Sequence, residues 1–291
     1  MYDRILVPTD GSETADLAVD HALEVASRHD AECHVLYVAD TNEPSLVRIE
    51  GSVRDVLESE GEEIVTAAVE RARERGVSVR DDVVQGHPAE AICEYATAYE
   101  IDLVVMGAHS GDPGQHRLGS VTEQVIRSAD VPVLTVREPG ALPSYETVLL
   151  PTDGSDVAAS ALEVAVEVAD RNDATLHVVS VVDTTGIGFD VLTSPAEAIE
   201  ATRTVVDDAA ERAREEGEGV DVVTAVERGS PWREIGTYVD DHDVDLVVMG
   251  THGRGGIERY LLGSVTEKVV RTSPVPVVTV RSGDRNLESD Q

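Results

Sequence analysis

The feature that most constrains the fold is an internal repeat, because three segments from the first half of the chain recur in the second half. Two segments are shifted by 143 residues and the third by 144, so the first copy is one residue shorter in between. The matched segments are Ile5–Ser12 with Val148–Ser155, Asp102–Gly107 with Asp245–Gly250, and Gly119–Glu123 with Gly263–Glu267. A period this long indicates two domains and not a solenoid. We predict domains at 1–140 and 145–283, followed by a polar tail at 284–291.

Each copy alternates short apolar runs with segments of helical periodicity. The first copy predicts strands at 4–7, 34–38, 77–84, 103–106 and 133–136, and helices at 14–28, 56–75, 88–99 and 120–128. The segment Thr41–Val53 shows neither period and is expected to be irregular. Continuous apolar strands that alternate with helices indicate a parallel sheet covered on both faces. The predicted fold class is therefore α/β, with two tandem copies of an open five-stranded parallel sheet.

The charge of the chain limits its partners. It has 57 acidic and 23 basic residues, a formal net charge of -34, and Lys268 is its one lysine. A phosphate backbone or an anionic membrane surface requires a basic face, so neither nucleic acid nor membrane is an expected partner. The acidic excess, with arginine in place of lysine, is typical of proteins from a salt-rich cytoplasm. We expect such a chain to lose structure when salt is removed, because screening of its charges is then lost.

The remaining composition indicates a reduced, cytoplasmic protein. Hydrophobic residues make up 41% of the chain but aromatic residues only 3%, so the core is expected to consist of Val, Ala, Leu and Ile. Cys33 and Cys93 are too few for a disulfide framework and are expected to be small core residues. The first residues are expected to lead directly into a strand, so no signal peptide is expected, and no apolar run approaches the ~18 residues of a membrane span.

The candidate ligand site lies where the strands end. In an open parallel sheet, ligands bind beyond the carboxyl ends of the strands, at the point where strand order reverses. In the second copy this edge is predicted to gather Pro151–Asp153, Val181–Asp183 and the loop from Gly250 to Thr266. A strand, a loop with glycines and a helix N-terminus together make a geometry that holds phosphate, since glycine lets the backbone approach and the first helical N–H groups point at the anion.

Two residues of this edge allow two interpretations each. Asp153 can face a ribose hydroxyl or a metal, or it can be a turn or capping residue. Ser264 begins a segment with capping-box spacing, as does Ser120 in the first copy, so its hydroxyl either caps its own helix or turns outward to a phosphate.

The spacing Gly-two-Gly-nine-Gly-Ser after a strand ending Val-Val-Met, together with the opening strand and Pro-Thr-Asp-Gly-Ser, resembles the universal stress protein family over nearly the whole chain. The resemblance implies a Rossmann-like, adenine-nucleotide-binding fold with five parallel strands. It implies ATP, with Mg²⁺ accompanying the nucleotide, held by residues matching Pro151, Asp153, Val181, Gly250, Gly253, Gly263, Ser264 and Val265. In that family the adenine lies near the first two strand ends and the phosphates lie on the glycine loop, which would bring the Val181 backbone to adenine and Asp153 to the ribose.

The predicted site also includes five neighbours of these residues, namely Thr152, Met249, His252, Arg254 and Thr266. Among them, Arg254 would supply positive charge, whereas His252 is interpreted as a packing residue of the loop and not as a base. Asp153 is the candidate metal contact, through a magnesium nucleotide. The weaker counterpart in the first copy comprises Pro8, Asp10, Val38, Gly107, Gly119, Ser120 and Val121.

The first copy departs from this pattern in its loop. Ser110 stands where the second glycine belongs, only eight residues then precede Gly119, and Asp112 and Pro113 lie between them. A Cβ at residue 110 can block close approach of the backbone, and Asp112 would repel phosphate. We therefore predict that the second copy binds ATP and that the first binds it weakly or not at all.

Three functions compete at this point. The first is an ATP-binding module of stress response and signalling, the second a slow ATPase or nucleotidyl transferase, and the third a structural dimer module without nucleotide. No Gly-four-Gly-Lys loop is present, and no catalytic residue is assigned, which favours binding over an enzyme. The apolar last strands, 131–136 and 275–280, are edges prone to pairing, so the copies are expected to pack as a pseudo-dimer and whole chains as a homodimer.

Overall fold

The computed structural model of the protein describes residues 2–41, 46–49, 52–109, 117–137, 145–185, 194–253 and 262–281. The chain divides into two compact units, Met1–Leu142 (unit 1) and Pro143–Gln291 (unit 2). Residues 254–261, and with them Arg254, lie outside the described residues, as do Ser110, Asp112 and Pro113 of the corresponding loop in unit 1.

Unit 1 is an open sheet with helices on both faces. Its elements are β1 (Arg4–Pro8), α1 (Glu13–His29), β2 (Glu32–Asp40), β3 (Leu46–Ile49), β4 (Ser52–Asp55), α2 (Val56–Glu74), β5 (Val79–Gly86), α3 (Pro88–Ala98), β6 (Leu103–Gly107), α4 (Ser120–Ser128) and β7 (Val133–Val136). Five strands run parallel in the order β7-β6-β1-β2-β5. Helix α1 contacts α2 over one face, and α3 contacts α4 over the other.

Unit 2 repeats this architecture. Its elements are β8 (Thr147–Pro151), α5 (Asp156–Asn172), β9 (Thr175–Asp183), α6 (Pro195–Glu216), β10 (Val222–Gly229), α7 (Pro231–Asp241), β11 (Leu246–Gly250), α8 (Ser264–Thr272) and β12 (Val277–Val280). The strands run parallel in the order β12-β11-β8-β9-β10. The predicted fold class is confirmed for both units.

Strand order in each unit reverses beside the first strand. The chain of unit 2 runs from β8 outward through β9 to β10, and then returns to place β11 on the other side of β8. A crevice therefore opens between the turns that follow β8 and β11. The corresponding strands of unit 1 are β1 and β6.

The core is aliphatic, as the composition predicts. Side chains such as Ile5, Leu149 and Val247 are completely buried in the central strands. Of the two cysteines, Cys33 is buried in β2, where burial raises the pKa of its thiol to about 12, while Cys93 is half-buried. No helix in the described ranges is both long and apolar enough to cross a bilayer.

One local expectation is wrong, and one open alternative is not supported. The segment expected to be irregular contains the antiparallel pair β3 and β4, whose four-residue strands are too short to show a period in the sequence. Of the two interpretations left open for Ser120 and Ser264, the structure does not support the capping box, because Gly119 and Gly263 are the N-cap residues and each serine is the first residue of its helix. The backbone of each glycine is extended, at φ -63 and -62, as is usual for an N-cap residue. Glycine has no side chain that could accept a hydrogen bond from the first turn of the helix.

Candidate functional site

A cavity of about 500 Å³ lies at the carboxyl edge of the sheet in unit 2. It is bounded by the end of β8, the end of β9, the end of β11 with the residues after it, and the first turns of α7 and α8. Twelve residues predicted for the site line it, namely Pro151, Thr152, Asp153, Val181, Met249, Gly250, His252, Gly253, Gly263, Ser264, Val265 and Thr266. The thirteenth, Arg254, is outside the described residues.

The sequence pattern missed six further lining residues, Ala158, Val179, Ser180, Pro231, Ile235 and Leu262. Pro231 and Ile235 extend the cavity to a fourth segment, the junction between β10 and α7. This junction follows the carboxyl end of β10. The rule that ligands bind beyond the carboxyl ends of parallel strands could therefore have predicted it as well. Apolar side chains on α7 and the strand ends give the cavity a surface suited to a flat, apolar group.

Hydrogen bonds tie the start of α8 to the end of β11. The hydroxyl of Thr266, which is buried, donates to the carbonyl of Gly250 at 2.9 Å. The N–H of Gly263 donates to the carbonyl of Thr251 at 2.8 Å. These bonds bring residues separated by the whole loop into contact, so the described ends of the loop are fixed on both sides of the cavity.

The first turn of α8 offers unpaired donors to the cavity. The N–H groups of the first helical residues, Ser264, Val265 and Thr266, have no acceptor within their own helix, and all three residues line the cavity. Because Gly263 is the cap, the exposed Ser264 side chain is not required to close the helix. A helix N-terminus of this kind attracts anions through its N–H groups and its dipole.

Three glycines line the cavity, so its wall at these positions consists of backbone atoms alone. A Cβ at residue 250 would lie 2.9 Å from Cγ1 of Val157, and one at residue 263 would lie 3.1 Å from the Cα of His252. At residue 253 a Cβ would overlap the Oδ2 atom of Asp153. Close packing against the Val157 and Asp153 side chains and the His252 backbone therefore explains why these three positions carry no side chain.

Asp153 makes the turn contact that its sequence position allowed, and it also lines the cavity. Its Oδ1 atom accepts a hydrogen bond from the N–H of Ser155 at 3.0 Å, which closes the turn before α5. Its Oδ2 atom lies on the side of Gly253. No other carboxylate lines the cavity among the described residues, and the described residues contain no cluster of three metal-ligating side chains.

His252 lines the cavity, and its Nδ1 atom is 3.1 Å from the hydroxyl oxygen of Thr251. This contact joins two neighbouring residues of the loop.

The matching cavity of unit 1 is smaller, at about 290 Å³. Six of the seven residues predicted there line it, namely Pro8, Asp10, Val38, Gly107, Gly119 and Val121, whereas Ser120 does not. Two carboxylates, Asp10 and Asp40, face this cavity.

The wall of the unit 1 cavity is also built differently. The hydroxyl of Thr14 donates to the carbonyl of His109, which ties helix α1 to the residues after β6. Val157 occupies the matching position in unit 2 and has no hydroxyl to make this bond. Tyr37 lines the cavity where unit 2 has the smaller Ser180. A smaller, more acidic cavity is less suited to a polyphosphate than that of unit 2.

Fold and cavities together define a tandem α/β protein with a ligand-sized crevice at the carboxyl edge of each sheet. Models of the universal stress protein family match residues 1–137 and 144–281, so the chain belongs to the universal stress protein family, in a tandem form.

Individual relatives support this assignment. The universal stress protein MJ0531 of Methanocaldococcus jannaschii is 38% identical over 144 residues, which cover 48% of this chain and 84% of that protein. The universal stress protein Rv2005c of Mycobacterium tuberculosis is 32% identical over 239 residues, which cover 77% of this chain and 78% of that protein. A crystal structure of a universal stress protein from Archaeoglobus fulgidus shares the fold with a TM-score of 0.76 at 23% identity, covering 97% of this chain and 100% of that chain. Universal stress proteins are mostly non-enzymatic stress-response proteins, and at the level of the family this agrees with the non-enzymatic interpretation of the sequence.

Proposed function

We propose that unit 2 binds ATP and that the chain acts as a nucleotide-dependent module of the stress response. The observation that carries the proposal is the convergence, on one cavity of about 500 Å³, of the N-terminus of α8, the glycine wall and an apolar pocket. The apolar part formed by Val179, Val181 and Ile235 suits adenine. The N–H groups at 264–266 suit phosphate.

The proposed orientation follows from these two surfaces. Adenine lies between the ends of β8 and β9 and the first turn of α7, with the backbone of Val181 at its edge. Asp153 stands between this pocket and the phosphate side, where its Oδ2 atom can accept a hydrogen bond from a ribose hydroxyl. Arg254 is proposed as an additional cation for the phosphates. Mg²⁺ would enter with the nucleotide, because Asp153 alone is too few protein ligands for a resident ion.

We further propose that unit 1 binds nucleotide weakly or not at all. Its smaller cavity, the two carboxylates Asp10 and Asp40, and Ser110 in place of a glycine all oppose a polyphosphate. Tandem units of unequal affinity would give the protein one tight site per chain.

Mass spectrometry of ligand released from the denatured, freshly purified chain tests the proposal, together with calorimetric titration by Mg-ATP. We expect an adenine nucleotide in the released material and one tight site per chain. Two equal tight sites would contradict the assignment to unit 2, and the absence of any adenine nucleotide binding would refute the proposal as a whole. If the purified chain turns over ATP steadily and Asp153→Ala abolishes that turnover, the protein is an enzyme and not only a binding module.

A further inference from the structure

Unit 2 carries a small cationic cluster beside the cavity, formed by Trp232, Arg233 and Lys268. The guanidinium carbon of Arg233 lies 5.1 Å from the centre of the Trp232 indole, and the ammonium nitrogen of Lys268 lies 5.7 Å from it. Both distances are in the range in which a cation is attracted to an aromatic face. The cluster joins the first turn of α7 to α8, and both helices contribute residues to the cavity wall.

These two cations differ from two other arginines of unit 2, which are neutralised by ion pairs. Arg171 and Arg212 each form an ion pair with a glutamate one turn away on the same helix. Within the part of the chain that the structure describes, neither Arg233 nor Lys268 forms such a pair. In a protein with 57 acidic and 23 basic residues, two cations that face an indole instead of a carboxylate are an arrangement that favours an anionic ligand.

Helical geometry places Lys268 above the phosphate side of the cavity. Ser264 and Val265, which both line the cavity, precede Lys268 by four and three residues, so all three share one face of α8. Long side chains in a helix lean toward its N-terminus, which directs the Lys268 ammonium back over the first turn. Trp232 directly follows Pro231, a lining residue, and the Lys268 ammonium lies 5.7 Å from the centre of its indole.

Unit 1 has none of this chemistry at the matching positions. Trp232, Arg233 and Lys268 correspond to Ala89, Glu90 and Gln124. The replacement changes two positive charges into one negative charge beside the cavity that we propose to be the weaker one. The difference between the units therefore extends from the loop to the adjoining helices.

We propose that Lys268, supported by Arg233 and positioned by Trp232, holds the terminal phosphates of the nucleotide and makes unit 2 selective for ATP over AMP. The inference rests on the proposed function, because it assigns a specificity residue to the same cavity. The α-phosphate is held by the N–H groups of α8 in both nucleotides. Only the phosphates beyond it reach the Lys268 ammonium.

Calorimetric titration with AMP, ADP and ATP at fixed Mg²⁺ and ionic strength tests this role in the full chain and in Lys268→Gln, which introduces the residue of unit 1. We expect the variant to bind ATP about 10-fold more weakly, equivalent to about 1.4 kcal/mol, and AMP within about twofold of the parent chain. Lys268→Arg keeps the charge and should retain most of the ATP selectivity. The matched control is Arg171→Gln, which removes one positive charge near the far end of α5 and should change neither affinity.

The outcomes separate the two proposals. If the parent chain binds adenine nucleotides and Lys268→Gln keeps the same ratio of ATP to AMP affinity, the role of Lys268 is overturned while the proposed function stands. If the parent chain binds none of the three nucleotides, both are overturned. A thermal unfolding profile equal to that of the parent chain shows that a change in the ratio does not come from misfolding of the variant.

Discussion

The carboxylate of Asp153 lies directly against the α-carbon of Gly253, so closely that a Cβ at residue 253 would overlap its Oδ2 atom. The Asp153 side chain of the turn after β8 thus packs directly on the backbone of the residues after β11. The same carboxylate closes its own turn through the N–H of Ser155, so it cannot move away without breaking that bond. Asp153 can therefore keep its position at the edge of the cavity only if residue 253 is glycine.

This contact predicts that Gly253→Ser, which introduces the residue found at 110 in unit 1, weakens ATP binding by at least about 10-fold, or about 1.4 kcal/mol. The added Cβ displaces either Asp153 or the backbone after β11. Calorimetric titration with Mg-ATP measures the loss. The matched control is Gly236→Ser in α7, because a Cβ at residue 236 meets no atom within 4 Å. Unchanged ATP affinity in Gly253→Ser would show that the contact does not govern the site.

A second prediction uses the bond between Thr266 and the carbonyl of Gly250. Thr266→Val keeps the shape of this buried side chain but leaves the carbonyl without its donor, which costs about 1–3 kcal/mol for a buried acceptor. We expect lower stability of unit 2, faster amide hydrogen exchange around 250–253, and weaker ATP binding.

Unit 1 provides the matched control for this substitution. Thr122 donates to the carbonyl of Gly107 at 2.8 Å in the same geometry. Thr122→Val should destabilise unit 1 by a similar amount and speed exchange around 107–109, yet leave the affinity of the tight ATP site unchanged. Equal losses of ATP affinity in both variants would contradict the assignment of that site to unit 2.

Much of the fold could be predicted, because the sequence patterns that mark helices and strands are local and occur in both copies. Pro88 begins the helix predicted from residue 88, and Pro231 begins its counterpart in unit 2, since the fixed φ of proline suits a first helical position. The apolar runs that end at Val7 and Met249 form central strands. The β3–β4 pair was missed, because strands of four residues carry almost no periodic signal.

The candidate site was predictable to the extent that it follows from topology. Parallel strands bring their carboxyl ends to one edge, so Pro151, Val181 and Gly250 could be placed together from order alone. The bond from Thr14 to the carbonyl of His109 joins residues 95 positions apart and leaves no pattern in the sequence. The choice of Gly263 over Ser264 as helix cap also depends on tertiary bonds, since its N–H is held by Thr251.

A third prediction concerns pH. His21 is buried in α1, and burial lowers the pKa of its imidazole to about 4, against 6.5 for an exposed histidine. Between these pH values the unfolded chain binds a proton that the folded chain does not, so His21 makes the free energy of unfolding rise with pH across this window. Acidification from pH 7 to pH 4 should therefore remove up to about 3 kcal/mol of stability through this residue.

His21→Val tests this effect, because unit 2 has Val164 at the matching position. Urea unfolding in ~1 M salt at several pH values should show a shallower dependence on pH in the variant than in the parent chain. Other titrating groups, including His34 and His177, whose pKa values are also lowered mainly by burial, contribute equally to both proteins and cancel in the difference. Parallel pH profiles in the two proteins would show that His21 is not held neutral by the fold.

The last prediction follows from the net charge of -34. Some carboxylates are compensated locally, as where Arg71 of α2 and Arg75, just after α2, pair with Asp20 of α1, but with 57 acidic and 23 basic residues most cannot be. In ~1 M salt the screening length is about 3 Å and the remaining carboxylates hardly repel one another, whereas at ~0.01 M it is about 30 Å and repulsion acts across a whole unit. We expect the thermal midpoint to fall as salt is removed, with loss of far-ultraviolet circular dichroism at millimolar salt. Sodium chloride and potassium chloride at equal ionic strength should restore the circular dichroism signal equally, whereas sucrose, which does not screen charge, should restore much less of it. A signal that persists unchanged in millimolar salt would show that charge repulsion does not limit the stability of this protein.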